Sequence, residues 1–206
     1  MAARFLGRLM IHDNPQGATP LTPDDAKGLM PKGVSTRGQL DQFESRNIQQ
    51  ALTWALRGKR KPSEILTIDF CLKLHKQMFD KTWSWAGQLR RYEVNIGNTP
   101  PAMISMNLRN LCDDAQAWVE FKSYPADEIC IRLHHKMVLI HPFPNGNGRH
   151  SRIMADMLMK SLGQPVFTWG KSALNQHSKS RMDYLTALRL ADIGDYKKLL
   201  QFAKSG

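Results

Sequence analysis

This 206-residue sequence is poor in the features that mark cross-linked, metal-clustered or membrane-inserted chains. Its three cysteines (Cys71, Cys112, Cys130) lie far apart and form no CxxC pair. That excludes a disulfide framework or a zinc knuckle and fits a reducing compartment. No stretch reaches about 18 uncharged apolar residues, and Arg8 breaks the N-terminal patch MAARFLGRLMIH too early for a signal segment. A soluble, cytoplasmic protein with no membrane partner is expected. Acid is scarce: 18 Asp plus Glu face 29 Lys plus Arg, a formal charge of +11. Such a surplus attracts nucleotide phosphates, acidic protein surfaces and nucleic acid alike, so charge alone leaves nucleic acid open as a partner. The basic clusters LRGKRK (56–61), LRR (89–91) and GKSALNQHSKSR (170–181) are short and lack the aromatic interleaving of a single-strand platform. Each reads as a solvated helix face.

At 42% apolar, the chain can bury a full core in one domain. Residues 13–35, rich in Pro, Gly, Asp and Thr, read as an irregular arm. From Thr36 helical spacing takes over, with Leu40, Phe43, Ile48, Leu52 and Leu56 ahead of Gly58. Pro62 opens a second helix carrying Ile65, Ile68, Leu72, Leu74 and Met78. Further helical patterns cover about 103–122, 126–140, 152–162 and two closing segments. In RRYEVNIGN, Tyr92, Val94 and Ile96 alternate with polar residues before Gly97-Asn98, the signal of a short hairpin or flap. The composition therefore describes a mostly helical domain with one small extended element and no internal repeat.

The chemistry concentrates in HPFPNGNGR, residues 141–149. A GNG just ahead of a helix lets the backbone approach a ligand, since no Cβ intrudes. The first-turn amides and the helix dipole there favour a phosphate. Arg149 and Arg152, three residues apart, can project from one side of that helix and suit polyphosphate oxygens. At the loop's other end His141 carries the side chain best suited to accept a hydroxyl proton at neutral pH. Phe143 is expected to pack inward. Taken singly, a histidine at a helix end is commonly a core or capping residue, and GNG is commonly a turn. Together, in this order, they point to transfer of a phosphate-containing group to a hydroxyl.

HPFPNGNGRHSR resembles the signature of Fic (Fic/Doc) domain proteins. WAGQLRRYEVNIGN resembles that family's flap, and RMDYLTALRLADIGDYKKLLQF its closing helices. GATPLTPDDAKGLMPKGVSTRGQLDQFESRNI resembles the subgroup called mobile mystery protein B. The resemblance implies an all-α Fic fold, a helical bundle with a small β-hairpin flap. It divides the chain into an arm at 1–35 and a Fic domain at 36–206, with an inhibitory helix at about 38–57. It implies transfer of AMP from ATP to a Ser, Thr or Tyr hydroxyl of a protein target. His141 would be the base; Gly146, Asn147 and Gly148 would hold the phosphates, with Arg149 and Arg152 on the outer ones. The flap at Asn95, Ile96 and Gly97 would dock the target by strand-like pairing. The subgroup implies a toxin–antitoxin-like setting and a helix-turn-helix regulator as genetic partner. Phosphate transfer, as in the related Doc kinases, and a degenerate Fic domain that only binds nucleotide or nucleic acid are the alternatives.

Two positions depart from the family pattern. Asn145 stands where transferring members carry an acid that holds Mg²⁺, a hard cation suited to carboxylate oxygen. Losing that charge removes roughly 4 kcal/mol of attraction per unit-charge pair at ~4 Å and an effective dielectric of ~20. In the family's inhibitory pattern [S/T]xxxE[G/N], Glu44 can supply the glutamate, but Leu40 and Ser45 replace its neighbours. The expected partner of Glu44 is Arg152. His134, His135 and His141 do not share one helix face and make a poor metal set. The methionines of MADMLMK are expected in the core, and Trp83 and Trp85 are expected to brace the flap.

Overall fold

Side-chain oxygens set where several of the helices begin. The computed structural model describes residues 22–34, 36–94, 97–170 and 179–205. Thr22 caps a short helix α1 (Pro23–Lys27) through a reciprocal pair: its hydroxyl accepts from Asp25 N, and the Asp25 carboxylate accepts from Thr22 N. The expected irregular arm is therefore ordered at this point. Thr36 and Gln39 repeat the device at the start of α2 (Arg37–Ala55). The single helix expected from Pro62 is two, α3 (Pro62–Ile65) and α4 (Ile68–Phe79). Leu66 leaves helical backbone geometry, and the Thr67 hydroxyl accepts from Phe70 N at 3.1 Å, so a new start replaces continuation.

A 3₁₀ turn (Pro101–Met103) leads into α5 (Ile104–Glu120), followed by α6 (Ala126–Ile140), α7 (Asn147–Ser161), α8 (Lys179–Asp192) and α9 (Lys197–Lys204). Helices α6 and α7 form the central pair; α5 packs on α6, α2 on α4, and α9 on both α8 and α6. Leu74, Met78, Ile104, Leu108, Ile131, Met154 and Leu158 fill the space between them with almost no exposure. Met157 and Met159 join this core, as the pattern of MADMLMK predicts. Among the described residues no helix is long and apolar enough to cross a membrane.

Among the described residues the expected hairpin does not form. Among the described residues the only extended pairing is an isolated bridge between Leu29 and Trp83, and Asn95 and Ile96 lie outside the described residues. The reason is visible at Arg90, whose guanidinium takes the carbonyls of Tyr92 (2.8 Å) and Thr99 (2.5 Å). Both flap limbs thus spend acceptors on one side chain that a ladder would need. The outgoing limb lies instead on the last turn of α6, where Asn98 N donates to Leu139 O at 3.1 Å.

Candidate active site

His141 ends α6. Its backbone turns left-handed (φ 49°, ψ 59°), and its N–H donates to Met137 O at 3.1 Å. Pro142 cannot continue a helix, so the chain leaves here. The ring is buried, with Nδ1 at 3.3 Å from Val138 O. A carbonyl can only accept, so Nδ1 carries the hydrogen and Nε2 carries the lone pair. Burial pushes the imidazole down to about 4; the Val138 bond opposes this, and the Arg90 charge adds to it. At neutral pH the ring is an unprotonated base.

Three further buried polar residues, two of them far from the signature in sequence, hold this loop. Arg90 donates to His141 O from Nε at 2.6 Å and to Ile140 O at 3.3 Å, while its own N–H donates to Pro142 O at 2.9 Å. His75 stacks on Phe143 with ring centroids 3.7 Å apart. Its Nδ1 accepts from Gly87 N at 2.9 Å, which leaves Nε2–H to donate to Asn145 O at 3.0 Å. His150 donates to Cys71 O at 2.9 Å. Phe143 is fully buried, as expected, and the Asn147 amide grips its backbone on both sides, at 2.9 Å to its N and 2.8 Å to its O. The Asn147 side chain is therefore committed to the loop, and only its main-chain N–H remains for a phosphate.

The two glycines serve different ends. Gly146 is left-handed (φ 79°), and a Cβ there would meet the Phe79 ring at 2.5 Å, so its lack of a side chain answers to packing. Gly148 faces open space, with nothing within 4 Å of an added Cβ. No side chain caps α7, so the first-turn amides beside Gly148 keep their donors for a ligand. The arginines separate. Arg149 donates to Glu44 Oε2 at 2.7 Å, sits 3.4 Å from Asn145 Oδ1 and covers the Phe79 ring. Arg152 lies over Tyr184 and Trp169, and its buried Nε has no hydrogen-bond partner. Glu44 is 2% exposed and also accepts from Trp83 Nε1 at 2.7 Å. The expected Glu44–Arg152 pair is thus replaced by Glu44–Arg149. Helix α2 meets α7 at its first turn, whereas residue 152 has rotated away toward α8.

Residues 65–159 match the model of the Fic/DOC family. This chain carries a Fic/DOC domain. The chain is 27% identical over 141 residues to the protein adenylyltransferase fic-1 of Caenorhabditis briggsae, covering 66% of this chain and 26% of that one. It is 30% identical over 143 residues to the protein adenylyltransferase Fic of Drosophila willistoni, covering 66% and 27%. It thus spans about a quarter of the length of these curated relatives. Solved Fic-1 of C. elegans shares its fold with a TM-score of 0.62 at 22% identity, over 86% of this chain and 51% of that one. BepC of Bartonella tribocorum, solved with bound AMPPNP, does so at 0.59 and 18% identity, over 87% and 95%. The all-α Fic fold is therefore the architecture of this protein.

The residues at position 145 of the Fic domain do not fit a protein-held Mg²⁺. Asn145 Oδ1 accepts from Gly146 N at 2.5 Å, and the Arg149 cation lies beside it. An amide oxygen already engaged next to a guanidinium is a poor donor for a hard divalent cation. Among the described residues no three His, Cys, Asp or Glu side chains converge on a metal position. His134 bonds the Tyr184 hydroxyl, and His135 the Asp192 carboxylate. Asn145→Asp should make nucleotide affinity depend on Mg²⁺ by at least about tenfold, half or less of the Coulombic difference. Nucleotide titrations with Mg²⁺ and with a chelator measure this; equal Mg²⁺ dependence in both proteins refutes the account of this position.

Proposed function

We propose that this Fic domain transfers AMP from ATP to a Ser, Thr or Tyr hydroxyl of a protein target. The observation that carries the reading is the pairing of an unprotonated His141 with an uncapped helix start across a five-residue loop. His141 Nε2 takes the hydroxyl proton, the oxygen attacks the α-phosphorus, and pyrophosphate leaves. The amides of Asn147 and Gly148 receive the phosphates, with Arg149 on their outer oxygens. The unpartnered Arg152 Nε is a buried donor in need of an acceptor, which suits the same role. Gly97, whose backbone runs against Leu139 and His141, belongs to the flap that positions the target, together with Asn95 and Ile96. The catalytic unit is residues 36–206, with 1–35 as an arm. The relatives' names and the nucleotide in BepC support ATP as the donor. Intact-protein mass after incubation with ATP tests it. An AMP adduct is expected; a phosphate adduct makes the chain a kinase, and bound nucleotide without any adduct makes it a binder.

Glu44 restrains the reaction in this reading. It holds the Arg149 guanidinium that the outer phosphates need, and a buried glutamate yields it only against a cost. Glu44→Gly should raise the initial rate about tenfold, equivalent to about 1.4 kcal/mol. It should also lower thermal stability, because Trp83 N–H loses its acceptor at a cost of about 1–3 kcal/mol. A rate equal to that of the unmodified chain would dispose of the restraint.

A further inference from the structure

Arg90 is 3% exposed, yet among the described residues its side-chain hydrogen bonds all go to carbonyl oxygens and none to a carboxylate. Glu93 acts on its charge without bonding it, so neutral acceptors must replace most of the hydration that the guanidinium loses on burial, and an apolar residue would fill the space more cheaply. What the side chain does satisfy is four carbonyl oxygens from three places: Tyr92 on the incoming flap limb, Thr99 on the outgoing limb, and Ile140 with His141 at the end of α6. Its main chain adds a bond to Pro142. Only a planar fork with five donors can serve acceptors in so many directions. The carbonyls of Ile140 and His141 are also among those that a helix end leaves without internal partners.

We infer that Arg90 is a positioning residue that fixes the His141 base and both limbs of the flap in one register. The inference rests on the transfer reading and deepens it: target alignment and proton removal are set by a single side chain. The backbone at His141 is left-handed, and the Arg90 bond to its carbonyl holds that turn. Gly97 shows how close the register is, since a Cβ there would lie 3.0 Å from His141 Cβ and 2.5 Å from Leu139 O. A shift of the flap at Gly97 by a fraction of an ångström therefore reaches His141.

The test uses Arg90→Lys and Arg90→Ala in the full chain, with three readouts. Transfer at saturating ATP should fall at least 100-fold in both, while ATP affinity stays within twofold, because the α7 amides are untouched. In ¹⁵N-histidine spectra the His141 signals should shift and broaden, with those of His75 and His150 unmoved as internal controls. Guanidinium ion, well below denaturing concentration, should restore part of the rate to Arg90→Ala but none to Arg90→Lys. Wild-type rates with unmoved His141 signals overturn the inference, as does equal movement of all three histidines, which marks a merely structural role. Should Arg90→Ala not fold, Arg90→Lys decides by the same criteria. If the unmodified chain forms no AMP adduct, the transfer reading falls, and the histidine spectra judge Arg90 by themselves.

Discussion

His141→Asn lowers the rate of AMP transfer by at least about 100-fold, the lower end of what a positioned base contributes. Asparagine is the informative replacement because it tolerates the left-handed backbone that His141 adopts, where alanine adds strain. The carbonyl that Arg90 grips is main chain and survives the change. The fold therefore stays, and the lost function is proton acceptance at Nε2. ATP affinity should remain within about twofold, since the proposed phosphate cradle lies at the opposite end of the loop, on α7. Single-turnover rates with saturating ATP, beside an equilibrium titration of ATP, separate the two quantities. A rate within threefold of the unmodified chain removes His141 from the reaction and leaves the helix start as a nucleotide-binding device.

Much of this site is legible in the sequence because its signature is local. His141, Phe143, Gly146 and Gly148 stand within eight positions, and each is where loop and helix physics places it. What stays hidden comes from distant chain segments. Arg90 sits in LRR, a cluster that reads as a solvated face, and nothing in its neighbours shows that a helix end 50 residues on will bury it. His75 and His150 carry a weak signal: each lies on an otherwise apolar helix face, where a histidine must find partners for both ring nitrogens. The Glu44 partner is misread for a geometric reason, because residues three apart on a helix still differ by about 60° in direction. The helices follow their apolar spacing well, with α6 matching at both ends. The break at Leu66–Thr67 does not, nor does the lack of strand pairing among the described flap residues, since a side chain competing for the backbone bears on each.

Acid should unfold this protein sharply, with a midpoint between about pH 4 and 5.5. Burial holds His75 and His134 well below the ordinary histidine range, and pushes His141 and His150 down to about 4. In the unfolded chain all four titrate near about 6.5. Between those values the unfolded state binds more protons, so stability falls as pH drops below about 6.5. Asp156 works the other way. Burial raises its carboxyl to about 7 against the pull of Trp169 and Phe167 hydrogen bonds and the Arg152 charge, so in this window it is protonated when folded and ionised when unfolded. Burial lowers His135 in the same direction, so five histidines opposed by one carboxyl leave a difference of at least about three protons near pH 5, or about 4 kcal/mol per pH unit. A stability of about 5–10 kcal/mol, the lower part of the usual range, is exhausted between about pH 5.5 and 4 at that slope. Circular dichroism through an acid titration reads the midpoint, and full helicity at pH ~4 would contradict the burial argument. The variant His141→Asn sharpens the test: removing one buried imidazole should cut the proton difference from about three to about two and make the protein more acid-resistant while it is catalytically silent.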